Sequence, residues 1–191
     1  MFDFLTLPEN HAIAILKKDH ERVKQLFDEF DKAEGRPAKE KIIAAAVQEL
    51  KIHAVLEEEI FYPAVRSHVG AEKMNEADEE HHVAKLLIAE LDARKGDQGH
   101  RDAKFQVLTE SVRHHIKEEE SEVLPKAKSM DLDFEALGDK MLRRKKVLLS
   151  RGVPRDAEHV LMARSRNADS PAKAATARKR STAKPRTRAA G

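Results

Sequence analysis

Apolar residues recur along the first part of the chain at alternating steps of three and four. Ile13, Leu16, Val23, Phe27 and Phe30 form one stripe, and His20 fills the slot between Leu16 and Val23. That spacing marks the inward face of an amphipathic helix, predicted from about Thr6 to Ala33. Thr6-Leu7-Pro8-Glu9 offers a cap, a first-turn proline and a capping-box glutamate, and Gly35-Arg36-Pro37 ends the element. A second helix is predicted from about Pro37 to Ser67, with Pro63 loosening its last turn and Gly70 closing it. Its stripe of Ile43, Ala46 and Leu50 leads into His53.

The pattern then repeats. Met74, Ala77, His81, Ala84, Ile88 and Leu91 copy the first stripe at an offset of 61 residues, on a helix predicted from about Glu72 to Arg94. Phe105, Leu108 and Val112 copy the second at an offset of 62 and lead into His115, on a helix predicted from about Arg101 to Lys128. The turn Gly96-Asp97-Gln98-Gly99 can absorb the one-residue difference. Phe134, Leu137, Met141 and Leu148 predict a shorter helix from about Asp133 to Leu149. The fold class is therefore all-α: an up-down-up-down four-helix bundle with an additional C-terminal helix.

Charge divides the chain. The net charge of +2 hides a surplus of basic residues from Arg151 onward, 11 Lys+Arg against 3 Asp+Glu, while the preceding 150 residues hold 25 against 31. We expect a bundle over residues 1–150 and a disordered basic tail, rich in Ala, Lys, Arg and Pro, over 151–191. That tail lacks aromatic residues for base stacking, so any nucleic-acid contact through it is expected to be nonspecific. There is no cysteine, which excludes disulfides and thiolate metal sites. No membrane span and no secretory signal are legible, and a cytoplasmic location is the expectation.

The stripes carry unusual passengers. His53-Ala54-Val55-Leu56-Glu57 runs on to Pro63, and His115-Ile116-Lys117-Glu118-Glu119 runs on to Pro125. A His and a Glu four apart share one helix face. Both pairs continue apolar stripes, so both point inward, where an unpartnered carboxylate costs several kcal/mol. Two such pairs, with His20 and His81, can grip two cations, since imidazole and carboxylate suit first-row divalent metals. His82 and the pair His114–Glu118 compete one residue out of register; the stripes favour His81 and His115 with Glu119. Glu59, Glu118 and Glu120 are assigned to a solvated face, and Tyr62 to packing, with a place near the site as the alternative. His68 with Glu72 is assigned to a loop, and His11, His100 and His159 to the surface.

At these positions the chain resembles the hemerythrin-like, or HHE cation-binding, family. The resemblance rests on Asp19-His20, on His53…Glu57 with Phe61-Tyr62-Pro63, on Glu80-His81, and on His115…Glu119 with Pro125. It implies a non-haem diiron centre of two iron ions, with Glu57 and Glu119 bridging and His20, His53, His81 and His115 as terminal ligands. Oxygen-carrying hemerythrins have a further His four residues after the third-helix ligand, where this chain has Lys85. The pattern follows the bacterial type of HHE domain. It leaves a position for water or another carboxylate such as Glu58, and room for oxygen, peroxide or nitric oxide to react. A ferritin-like diiron bundle needs Glu-x-x-His on two helices, and only Glu79…His82 fits. The expected function is binding or sensing of oxygen or related small oxidants. The alternatives are a peroxide-reactive or ferroxidase-like enzyme, or an interaction protein with a structural metal and a nucleic-acid-binding tail. No catalytic residue is assigned.

Overall fold

A computed structural model of the chain describes residues 7–93 and 98–155. Residues 156–191 of the basic tail, His159 among them, lie outside the described residues, as do Thr6 and Gly96-Asp97 of the predicted turn. Within them the protein is all-helical, with no strand. Helix α1 spans Ala12–Lys32, α2 Arg36–Leu56, α3 Tyr62–Val69, α4 Ala71–Asp92, α5 Gln98–Glu118, α6 Leu124–Lys128 and α7 Phe134–Arg151. Helix α1 packs on α2 and α4 on α5, and contacts between α2 and α4 and between α1 and α5 close the four-helix ring. The additional C-terminal helix α7 lies against α1 and α2.

The second helix of each hairpin is interrupted: it loosens before Pro63 as expected, and it does the same before Pro125, where a continuous helix was predicted. A single π-turn, Glu57–Phe61, joins α2 to α3, and another, Glu119–Val123, joins α5 to α6. Proline explains both. Pro63 and Pro125 have no N–H, and their rings clash with the carbonyl four residues back. The chain widens to accommodate them, so that the Tyr62 N–H donates to the Glu57 carbonyl and the Leu124 N–H to the Glu119 carbonyl. In an α-helix the fifth residue along is rotated roughly 140° away. The i→i+5 bond of a π-turn instead sets it nearly above the first. Tyr62 is thereby brought to the face of Glu57.

Helix α1 starts later than predicted. A turn in which the His11 N–H donates to the Pro8 carbonyl precedes it, and His11 is the cap, its Nδ1 accepting from the Ile13 N–H. His11 is half-buried rather than exposed, stacked on Phe134 of α7 with ring centroids 5.1 Å apart. Helix α7 approaches this turn closely because Gly138 has no side chain: a Cβ there would sit 1.8 Å from the Asn10 carbonyl oxygen. Asp133 caps α7 by accepting from the Ala136 N–H at 2.8 Å.

The core falls into two apolar clusters. One, with Leu16, Leu56, Phe61, Met74, Leu124 and Met141, lies toward the α7 end. The other, with Val23, Phe27, Leu50, Ile88, Phe105 and Val112, fills the opposite end. Where the two clusters meet, each long helix carries a buried histidine: His20, His53, His81 or His115. A buried polar layer thus cuts the hydrophobic core in two.

Candidate metal centre

The polar layer contains His20, His53, Glu57, His81, His115 and Glu119, none more than 7% exposed. Their ligand atoms form two groups. His20, His53, Glu57 and Glu119 each offer one atom within 4.8 Å of the others, and so do Glu57, His81 and His115. Glu57 belongs to both. Its Oε1 lies 3.1 Å from His53 Nε2, and its Oε2 lies 3.2 Å from His81 Nε2. His20 Nε2 lies 3.1 Å from Glu119 Oε2, and the Nε2 atoms of His81 and His115 are 3.2 Å apart.

The outer nitrogens decide what these contacts mean. His20 Nδ1 is 2.9 Å from Glu120, His81 Nδ1 is 2.9 Å from Glu58, and His115 Nδ1 is 2.7 Å from Glu80. A carboxylate can only accept, so Nδ1 carries the hydrogen and Nε2 turns its lone pair inward. Asp19 faces His53 Nδ1 at an ion-pair distance of 3.9 Å, too long for a hydrogen bond. Each inward lone pair meets a carboxylate oxygen or another imidazole. Such atoms repel unless a positive charge lies between them.

Both oxygens of Glu57, both of Glu119, and Nε2 of His20 and His53 are buried without a hydrogen-bond partner. Buried polar atoms are almost always satisfied. A cation would fit the place of the missing partner, since imidazole with carboxylate is a donor set that first-row divalent metals accept. Without metal, protons serve. Burial would lower the pKa of His53, but the Glu57 and Asp19 carboxylates outweigh it and raise it to about 10. His81 is likewise lowered by burial and raised, by Glu57 and Glu58, to about 9. Burial pushes Glu57 up, yet His53 and His81 hold it well below the usual carboxylate range.

A third sphere of cations backs the outer carboxylates. Lys24 reaches Glu120 at 3.2 Å, Lys85 reaches Glu58 at 2.9 Å and Lys145 of α7 reaches Asp19 at 2.5 Å. Glu120 therefore does not belong to the solvated face expected of it: it steadies His20. Glu58 lies behind His81 rather than among the inward atoms of either group. Glu59 and Glu118 do face outward, Glu59 holding Arg144 and Glu118 near Lys73. Tyr62 does more than pack. Its ring is buried, and its hydroxyl is 3.4 Å from the Nε2 atoms of both His81 and His115. The repeat-related residue of the other half is Leu124, so the second group has a phenol where the first has none.

The competing assignments fall on the surface. His82 is exposed. His114, 62% exposed, lies 3.5 Å from Glu118 and 3.7 Å from Glu80, outside the buried layer. His68 contacts Ser129 at 3.0 Å, and His100 is exposed.

Fold and polar layer together define a helical-bundle protein with a candidate di-metal site of His and Glu residues. The hemerythrin HHE cation-binding domain model matches residues 11–127, and the chain belongs to that family. It is 27% identical over 107 residues to a protein from Nostoc sp. named DNA nickase, covering 56% of this chain and 30% of that one. It is 29% identical over 111 residues to an uncharacterized hemerythrin-like protein of Schizosaccharomyces pombe, covering 56% of this chain and 55% of that one. The chain thus spans about a third and about half of these two curated relatives. Fungal and bacterial relatives both occur, so membership holds at the level of the HHE domain. Among solved structures, a hemerythrin HHE cation-binding domain-containing protein from Mycobacterium kansasii shares the fold, with a TM-score of 0.62 and 23% identity over 80% of this chain and 98% of that one. No described helix is long and apolar enough to cross a membrane.

Proposed function

We propose that His20, His53, Glu57, His81, His115 and Glu119 hold two iron ions, and that the protein binds or senses oxygen or a related small oxidant such as peroxide or nitric oxide. One observation carries this reading. The two unpartnered oxygens of the buried Glu57 carboxylate face imidazoles of two different donor groups, as a ligand shared between two cations would. A bound iron pair supplies redox electrons and open positions for a small ligand. The chain's own residues do the rest. Glu58, Glu80 and Glu120 hold the Nδ1 protons and so fix each ring's tautomer and orientation. The apolar clusters on either side exclude bulk water. Tyr62 places one neutral hydroxyl beside the second group, where burial first, and then the surrounding carboxylates, raise its pKa well above the ordinary value.

The test is anaerobic purification with metal analysis, then optical spectra on adding oxygen, peroxide and nitric oxide in turn. Two irons per chain are expected, falling to one in His20→Ala and in His115→Ala. Absence of stoichiometric iron, or spectra indifferent to all three additions, refutes the reading. Peroxide turnover abolished by Glu57→Ala would place the activity among enzymes.

A second reading concerns residues 151–191, which we propose form a separate basic extension. Their surplus of 11 basic over 3 acidic residues, beside a curated relative named DNA nickase, favours nucleic-acid contact. Deleting the residues after Arg151 should abolish such binding and leave metal content unchanged. Binding that survives the deletion refutes it.

A further inference from the structure

A cavity of about 300 Å³ opens at the bundle surface where α3 faces α4, lined by Glu58, Tyr62, Pro63, Arg66, Asp78 and Lys85. Its inner wall is the ring of Tyr62, whose centroid is 5.4 Å from that of His81 and whose hydroxyl is 3.4 Å from His81 and His115 Nε2. The Tyr62 ring, together with Glu58 at 2.9 Å from His81 Nδ1, stands between this hollow and the second donor group. The hydroxyl contacts are long and the ring is buried in the core cluster, so a swing of the ring is opposed by packing rather than by hydrogen bonds. The rim charges cancel. Arg66 forks onto Asp78 at 2.7 and 2.8 Å, and Lys85 holds Glu58 at 2.9 Å. A neutral rim of this kind does not draw in anions or cations.

We propose that this cavity is the route by which an uncharged small molecule, a diatomic gas or hydrogen peroxide, reaches the second donor group, and that Tyr62 is its gate. The inference rests on the function proposed above and specifies which ligands that site admits and by which side. The repeat explains why one side is singled out. The positions related to Tyr62 and Arg66 by the 62-residue offset are Leu124 and Lys128, so the other half lacks this phenol-walled arrangement. Arg66 bonds Asp78 and Asn75, and both Arg66 and Asp78 are partly exposed, so the entrance can be altered from its rim.

The experiment fills the entrance from its rim. Asp78→Trp, in the full chain loaded with ferrous iron, is compared with the parent and with Lys17→Trp, the repeat-related position on the other half. The probe is nitric oxide, followed by stopped-flow absorbance over a range of ionic strength. The expected result is a slowing of association by about tenfold in Asp78→Trp, within the one to three decades over which on-rates respond to mutation. Iron content and Lys17→Trp kinetics should be unchanged, and the parent rate should not depend on salt. Tyr62→Ala should raise the rate. Should Asp78→Trp fail to fold, Arg66→Trp fills the same space from the facing rim. Association at the parent rate in the filled variant overturns the route while leaving the function standing. Failure of the iron-loaded parent to bind nitric oxide at all overturns both.

Discussion

Glu120→Gln isolates the charge of one outer carboxylate. The amide has the same size and keeps an oxygen that can accept from His20 Nδ1. What disappears is the negative charge, 2.9 Å from the ring nitrogen and 3.2 Å from Lys24. A hydrogen bond to a charged group contributes about 1.5–3 kcal/mol, against about 1 kcal/mol for a neutral one. Glu120 is 24% exposed, so solvent screens part of the difference. About 1 kcal/mol remains, or roughly five- to tenfold in the affinity of the first donor group for a divalent ion. That is the weak end of the range of about 10–100-fold for residues that act through a ligand. The assay is anaerobic competition for Co²⁺ against a chromophoric chelator, resolving the two binding equivalents. Glu59→Gln is the control, because Glu59 sits beside Glu58 in sequence yet faces outward and holds Arg144, at 2.7 and 2.8 Å. One equivalent should weaken in Glu120→Gln and neither in Glu59→Gln. A normally folded Glu120→Gln that takes up both equivalents as tightly as the parent would refute the role assigned to this carboxylate.

Gly138→Ala places a methyl 1.8 Å from the Asn10 carbonyl oxygen, and overpacking of this kind costs about 1–3 kcal/mol or more. A melting temperature lowered by several degrees, read by circular dichroism, is expected, and an unchanged melt would mean α7 is not seated there. The metal-free protein should lose stability as pH rises. His53 and His81 bind protons more tightly folded than unfolded, so their contribution is full below about 6.5 and fades as pH passes through about 9 and 10. Urea midpoints of chelator-treated protein at pH 6, 8 and 10 should fall in that order, and metal uptake at pH 7 should release protons to a weakly buffered indicator dye. Tyr62→Phe removes a hydroxyl with only 3.4 Å contacts, so stability should change by less than about 1 kcal/mol. The same variant should alter the Co²⁺ spectrum of the second equivalent and not the first.

The helices and the burial of six inward His and Glu side chains were legible because burial and periodicity coincide. His20 and His81 fill slots in apolar stripes, and those stripes are buried apart from the half-buried Ala84. What periodicity could not show follows from the π-turns. A 3.6-residue period places Tyr62 off the face of Glu57, and only the widened turn before Pro63 returns it. The proline spacing was visible, and read as a forced i→i+5 turn it would have pointed to Tyr62. Glu120 was hidden differently. It reaches His20 across the bundle, 100 residues away, and a charge run on one helix says nothing about which member faces a neighbour. The half-buried His11 was missed because its partner, Phe134, lies on a helix remote in sequence.

The crossing of carboxylates between the two repeats has a consequence for assembly. The group around His20 and His53 draws Glu119 from the opposite hairpin, and the group around His81 and His115 draws Glu57 in return. Neither hairpin owns a full set of donors, so an ion would act as a clasp that closes only when both halves are docked. Fragments severed at Gly70 should therefore reassociate far more tightly with divalent metal than without it, each ion stitching one half to the other.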